Sequence, residues 1–241
     1  MMALFVLTFA QLTQRRRYII VLLLSLVPVL LAVIYWFSNA STRPDLTEFH
    51  DVMTEQVLNS VVLPISALLL ATATLGDEVE DNTLGYLTLK PIPRWQIVVP
   101  KMLATVLGVG IPVSVSGIVM SLLITDGDVG TSLATGAGLA VGSAAYSVVF
   151  AWGGLATRQA IAFGLVYVFL WEVSISTLFS GLRFVSIRQY TLGVIRGLDG
   201  SRLQDTGGVA LDFAPALIGA AVVVLLFAWL TERRLRLMDV P

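Results

Sequence analysis

The chain has 241 residues, of which 56% are hydrophobic and 13% are charged, and its net charge is −1. A soluble globular domain carries about 25% charged residues, so most of this surface must face something other than water. The near-neutral charge gives no argument for a nucleic-acid partner, the lack of cysteine excludes disulfides and thiolate chemistry, and one histidine leaves little room for a histidine-based metal site.

Six segments are long and apolar enough to cross a bilayer, which takes about 20 residues. They lie at 18–37, 57–75, 102–124, 132–156, 160–179 and 214–231. The first follows Arg15, Arg16 and Arg17 and contains no small-residue cleavage site, so it is predicted to be a retained span. The chain is therefore predicted to be an all-α, polytopic membrane protein with one transmembrane domain, residues 1–241.

The segment before the first span has the pattern of an interfacial helix. Residues 3–14 carry Phe5, Phe9 and Leu12 on one helical face, which favours a helix lying at the surface of the inner leaflet. The alternative is a simple extension of the first span.

The loop at 180–213 is too long for a bare hairpin. It mixes apolar residues with Arg183 and Arg188, which favours short helices that dip into the outer leaflet. The alternative is an ordered extracellular cap.

Lysine and arginine are divided unevenly between the two sides of the predicted bundle. With the N-terminus inside, ten of the 15 lie on the cytoplasmic side: Arg15, Arg16, Arg17, Lys90, Arg94, Lys101, Arg158, Arg233, Arg234 and Arg236. Because positive residues are retained in the cytoplasm, both termini are predicted to be cytoplasmic. The absence of cysteine and the short loops favour a prokaryotic plasma (inner) membrane.

The loop between the second and third spans, residues 76–101, is rich in acidic residues and then in proline. Asp77, three residues before Glu80, forms a possible capping box. Prolines then stop the helix, and Arg94, Trp95 and Lys101 stand where interfacial anchors are typical. We call residues 76–101 the elbow. It is either an ordinary solvated connection or a structured surface for docking another protein.

The elbow resembles the signature of the permeases of type-2 ABC exporters. The resemblance rests on one run of residues: Glu80, Thr83, Leu87, Pro91, Arg94 and Lys101. The six spans, the interfacial helix and the long loop before the last span are similar to that family as well. The chain departs from the pattern at Asn82, where glycine is usual, and at Pro100, which is expected to kink the third span.

The resemblance implies a permease that forms the translocation path together with a second permease copy, a homodimer or a related chain, above two separate ATPase subunits. It also implies that the elbow contacts the ATPase, through the following residues: Asp77, Glu78, Glu80, Asp81 and Thr83, with Arg94 bracing the elbow and Arg158 adding a smaller contact. The chain has no phosphate-binding loop, so we expect it not to be an enzyme. ATP and Mg²⁺ are expected on the partner, and no cofactor or metal on this chain.

Glu172 is the one acidic residue predicted to lie deep in a span. Such a residue costs about 2.5–3.5 kcal/mol to insert and normally faces the bundle interior or water. We favour a structural ion pair with Arg183 or Arg188 of the following loop. Binding of a cationic substrate group and relay of protons are the alternatives.

Gly138 and Gly142 form a face of small residues in the fourth span. Such a face lets two helix backbones approach closely. Packing within one chain is the favoured interpretation, and dimerisation is the alternative.

Two other function classes fit a polytopic chain. An intramembrane protease is disfavoured, because neither a zinc motif nor a serine motif is present. An ion-coupled carrier or channel without an ATPase, or an assembly factor of another membrane complex, stays open as the alternative. The sequence does not identify the substrate.

Overall fold

In a computed structural model, the chain is described at residues 2–14, 16–38, 46–80, 93–157, 159–170, 185–199 and 211–237. These residues are almost entirely helical. In chain order, the helices are α1 (Met2–Gln14), α2 (Arg16–Ser38), α3 (Leu46–Val52), a π-helix (Met53–Val62), α4 (Leu63–Glu80), α5 (Trp95–Ile124), α6 (Val129–Ala156), α7 (Ala160–Val166), α8 (Ile187–Leu198) and α9 (Phe213–Leu237).

Within the described residues, five helices are long and apolar enough to cross a membrane: Arg16–Ser38, Glu48–Thr74, Trp95–Ile124, Val129–Ala156 and Phe213–Leu237. They match five of the six predicted spans. The remaining predicted span is 160–179. Its first part is a shorter apolar helix, Ala160–Leu170, and residues 171–179 lie outside the described residues. The chain is all-helical with five candidate spans, while the sixth stays a prediction.

Three spans extend by more than one helical turn beyond the segments that hydropathy defines. The second begins at Glu48 instead of 57, the third at Trp95 instead of 102, and the last ends at Leu237 instead of 231. The added turns carry charged residues, which lower the mean hydropathy without preventing helix formation. Partners elsewhere in the fold accommodate several of these charges.

The helices form a bundle around α6, which packs against α4, α5, α8 and α9. The turn between α5 and α6 is tight, with Asp126 at φ 53° and Gly127 at φ 90°. Asp128 then caps α6 by accepting hydrogen bonds from the N–H groups of Gly130 and Thr131. We call the end of the bundle with this turn the far end. The opposite end, where α4 ends and α5 begins, is the elbow end.

The predicted interfacial segment at 3–14 corresponds to α1, which packs against α5 and buries Leu12. Its face with Val6 and Leu7 is exposed. Its position at the membrane surface stays a prediction.

Pro100 and Pro112 both lie inside α5, which is assigned as one helix over its 30 residues. Pro100 comes in the second turn and is buried. The helix therefore continues through Pro100, and the expected kink there stays a prediction.

Candidate functional site

The described parts of the elbow continue the two spans that it joins. Residues 76–80 end α4, and residues 95–101 begin α5. Of the predicted ATPase contacts, Asp77, Glu78 and Glu80 lie in the last turn of α4, where the structure describes the backbone. Asp81, Thr83 and Arg158 lie outside the described residues.

Arg94 is the N-cap of α5. Its carbonyl oxygen accepts hydrogen bonds from the N–H groups of Ile97 (3.0 Å) and Val98 (3.1 Å). Its guanidinium is partly buried, and Nη1 has no hydrogen-bond partner in the part of the chain that the structure describes. Because an unpaired buried donor is costly, Arg94 is suited to bind a further acceptor at this end of the bundle.

Lys101 is not the interfacial anchor that its place in the sequence indicates. Its side chain is only 3% exposed, whereas that of Trp95 is 43% exposed. Because α5 begins at Trp95, Lys101 lies more than one turn inside the helix. One turn further on, the hydroxyl of Thr105 lies 2.8 Å from that of Thr74, so α4 and α5 are joined beside the elbow by a buried hydroxyl pair.

α4 and α6 cross backbone to backbone at the elbow end. A Cβ atom added to Gly154 would lie 2.8 Å from the carbonyl oxygen of Thr72, closer than real Cβ contacts allow. One turn along α4, a Cβ on Gly76 would lie 3.5 Å from the carbonyl oxygen of Gly154. No side chain separates the two helices here, and the crossing lies directly before the acidic turn at 77–80.

The end of α6 is also bound by α9. Arg234 donates one hydrogen bond from Nε to the carbonyl oxygen of Leu155 and one from Nη2 to that of Ala156, both at 3.0 Å. These are among the last carbonyl groups of α6, which lack partners within the helix. The positive guanidinium also suits the negative end of the helix dipole.

The far end has a second glycine-based contact. A Cβ on Gly138 would meet Ile195 and the carbonyl oxygen of Thr191, and one on Gly142 would meet the Thr191 hydroxyl and Leu63. Both glycines therefore allow α8 to approach α6 closely. In this chain the small-residue face is occupied by a helix of the same chain.

α8 is inserted into the bundle and runs antiparallel to α6. Its C-cap Asp199 accepts a hydrogen bond from Thr131 (2.7 Å) at the far end of α6, while Thr191 lies against Gly142. Gly142 is 13 residues from Val129, which is about 20 Å along a helix. The loop at 180–213 therefore contains a short helix that runs along α6 as far as Gly142, while its depth in the outer leaflet stays a prediction.

Polar side chains of the π-helix hold α8 in place. The Glu55 carboxylate pairs with the Arg196 guanidinium at 2.5 Å, with both side chains mostly buried. The Asn59 amide donates to the carbonyl oxygen of Arg188 at 3.1 Å. Segments more than 120 residues apart are thereby joined by an ion pair and a hydrogen bond.

Glu172 lies outside the described residues, so its pairing with Arg183 or Arg188 stays a prediction. Arg188 is 5% exposed in the first turn of α8. Among the described residues, no group of three or more His, Cys, Asp or Glu side chains is placed to hold a metal ion.

Sequence reasoning missed three features of this site: Gly154, Arg234 and the Glu55–Arg196 pair. From the sequence, Arg234 is only one of the positive charges that predict the orientation of the chain. Glu55 was outside the predicted span, although an acidic residue in an otherwise helical pattern is a signal for a buried partner. Gly154 belongs to a Gly-Gly pair whose packing partner the sequence does not identify.

The chain was also compared with known proteins. Residues 12–185 match the sequence model of a family described as ABC-2 family transporter protein. The match includes the elbow, α2 to α7 and the contact glycines of α6, whereas α8 and α9 lie beyond it. No curated protein matches the chain.

Proposed function

The chain belongs to the ABC-2 family of transporter proteins, and from this premise we propose that it is the permease subunit of an ATP-driven exporter that docks a separate ATPase through the elbow. The single observation that carries the proposal is the family match over 12–185. Together with five candidate spans, it makes the chain a multi-pass membrane protein of a transporter family.

Docking through the elbow is supported by the helices around it. α4 and α5 reach the same end of the bundle, joined there by Thr74 and Thr105. Four acidic residues lie within 77–81, where α4 ends and the connection to α5 begins. Arg94 adds a guanidinium nitrogen that is unsatisfied among the described residues. An ATPase surface with basic and acceptor groups would complement both features.

In this proposal, two copies of the chain, or this chain and a related permease, form the path, and two ATPase subunits bind ATP and Mg²⁺. The elbow end faces the cytoplasm of a prokaryotic plasma membrane, with both termini on that side. Closure of the ATPases moves the elbow and shifts the bundle between inward- and outward-facing states.

The test is an affinity pull-down of the tagged protein from its native membrane in mild detergent, with mass spectrometry and an ATPase assay. We expect an ABC-type ATPase to co-purify. The double substitution Glu78→Lys and Glu80→Lys should release it, because like charges then oppose each other at the docking surface. The matched control is Glu48→Lys with Asp126→Lys, which changes the charge equally at exposed positions of the far end.

Three outcomes separate the possibilities. Release by the elbow variant alone supports the proposal. Equal retention of the ATPase by both variants would contradict docking through 77–81 but not the permease assignment. Recovery of the chain alone, even after crosslinking, would contradict ATP as the energy source and favour an ion-coupled carrier.

A further inference from the structure

We propose that Arg234 is a positioning residue that carries the movement of the elbow from α6 to α9. This inference rests on the proposed function, because it requires an ATPase that moves the elbow. It adds a route for that movement: from α4 to α6 at Gly154, and from α6 to α9 through Arg234.

The first step of the route is the crossing of α4 and α6. The carbonyl oxygen of Thr72 lies against Gly154, and Gly76 lies against the same glycine from the next turn of α4. Because packed backbones leave no side chain to yield between them, a displacement of α4 at this point must move α6 or open the contact. α4 continues from here into 77–80, the turn predicted to bind the ATPase.

The second step uses the next two residues of α6. The carbonyl oxygens of Leu155 and Ala156 accept the two hydrogen bonds of Arg234. Gly154, Leu155 and Ala156 are consecutive, so one short stretch of backbone is in contact with α4 on one side and with α9 on the other. Such a chain of packed and hydrogen-bonded groups is the physical form that coupling between sites takes.

The third step concerns how α9 is held between Arg234 and its far end, where Gly219 packs on Tyr190 of α8. Only 11% of the most apolar window of α9 is buried in the chain. Its contacts with α6 include the edge-to-face pair of Trp152 and Phe227, with ring centroids 5.4 Å apart. An apolar contact of this kind permits sliding, whereas two hydrogen bonds from one rigid guanidinium fix both distance and direction.

Two neighbouring arginines provide internal controls. Arg233 lies over the ring of Trp229, 5.3 Å from its centroid. Arg236 pairs with Glu232 of its own helix and is 65% exposed. In the described structure, neither of these contacts leaves α9. Substitution of Arg236 therefore removes a similar charge from the same helix without breaking its connection to α6.

The experiment measures distances between spin labels in the complete permease–ATPase complex. Because the chain has no cysteine, labels are introduced at Ile20→Cys in α2 as the reference, paired with Leu103→Cys in α5 or Leu237→Cys in α9. All three positions are at least half exposed. Labelled protein is diluted with unlabelled protein so that a complex carries one labelled copy. Distances are compared without nucleotide and with ATP, Mg²⁺ and orthovanadate.

In the unsubstituted complex, we expect both pairs to change distance when the nucleotide is trapped. With Arg234→Met, the α5 pair should change as before, while the α9 pair should lose most of its change. Arg234→Lys keeps the charge but not the planar fork and should recover part of it. Arg236→Met should leave both changes intact.

The results distinguish this inference from the proposed function. An α9 pair that changes equally with Arg234→Met and without it would overturn the route through Arg234. A complex without substitutions in which neither pair responds to nucleotide would contradict the proposed function itself, and the route with it. If Arg234→Met reduces ATPase binding in the pull-down, Arg234→Lys supplies the comparison, and an α9 response equal to that of the unsubstituted complex would again overturn the route.

Discussion

The two ends of the bundle differ in the side chains that help to fasten them. At the far end, α8 packs on Gly138 and Gly142 of α6 and is also held against the π-helix by charged and amide side chains, in the contacts Glu55–Arg196 and Asn59–Arg188. At the elbow end, α4, α6 and α9 meet at backbone carbonyl groups, through Gly154 and Arg234. Neutralising Glu55 can open the ion pair at the far end. The contact at the elbow end depends instead on backbone positions and on the absence of a side chain at residue 154.

The difference also affects how each end responds to movement. A side-chain ion pair has two partners that can separate and re-form without disturbing either helix. A backbone crossing has no side chain that can yield, so a displacement of one helix must move the other or open the contact. The elbow end therefore has the kind of contact that the proposed route requires, whereas at the far end an ion pair is added to the glycine contacts of α6 and α8.

The largest expected effect tests the backbone crossing. Gly154→Ala places a methyl group 2.8 Å from the carbonyl oxygen of Thr72, and such overpacking against backbone should cost about 2 kcal/mol. The measurement is the apparent thermal unfolding temperature in detergent. Gly153→Ala is the matched control, because a Cβ there meets nothing within 4 Å. Equal effects at both positions would contradict the tight crossing.

The next effect tests the ion pair at the far end. Glu55→Gln leaves the guanidinium of Arg196, 17% exposed, without its counter-charge, and should cost about 1–2 kcal/mol, between exposed and fully buried pairs. A double-substitution cycle with Arg196→Met measures the coupling. The control is Glu232→Gln, which breaks the more exposed pair with Arg236 and should cost less than about 0.5 kcal/mol. A coupling energy near zero would show that Glu55 and Arg196 do not hold α8.

The smallest effect tests the side-chain contact nearest the elbow. Thr105→Val keeps the shape of the side chain but removes the hydroxyl pair with Thr74. The cost should be about 0.6 kcal/mol, as for interhelical hydrogen bonds in other membrane proteins, again read from the unfolding temperature. Thr125→Val is the control, because that hydroxyl bonds only within its own helix region, to the carbonyl oxygen of Ser121. If Thr105→Val destabilised the protein as much as Gly154→Ala does, side-chain contacts would hold the elbow end as strongly as the backbone crossing, which would contradict the comparison.

The hydropathy of the sequence was enough to predict the apolar part of the spans. The first predicted span, 18–37, differs from α2 by two residues at one end and one at the other. Hydropathy did not predict the helical turns that begin at Glu48 and at Trp95 and include charged residues. It measures the cost of entering lipid and not the tendency to form a helix. The number of spans beyond five stays a prediction.

The site was predictable only in part, and for a physical reason. The spacing of Gly138 and Gly142 predicted a close approach, since small residues four apart share a helix face. The pattern did not identify α8 as the partner, nor show that α8 reaches the level of Gly142. Arg234 acts through two carbonyl groups, which every residue carries, so no side-chain pattern in the sequence could have named Leu155 and Ala156 as its acceptors.

The glycine contacts of α8 also set an order of assembly during synthesis. α6 is made before α8, so the Thr191 and Ile195 side chains that cover Gly138 and Gly142 are not yet present when α6 first enters the membrane. Gly193 and Gly197 of α8 pack in turn on Ala216 and Phe213, and Gly219 of α9 packs on Tyr190. The far end can therefore close only after residues 187–219 have been made, and a chain that ends before that point would lack the helix that covers Gly138 and Gly142.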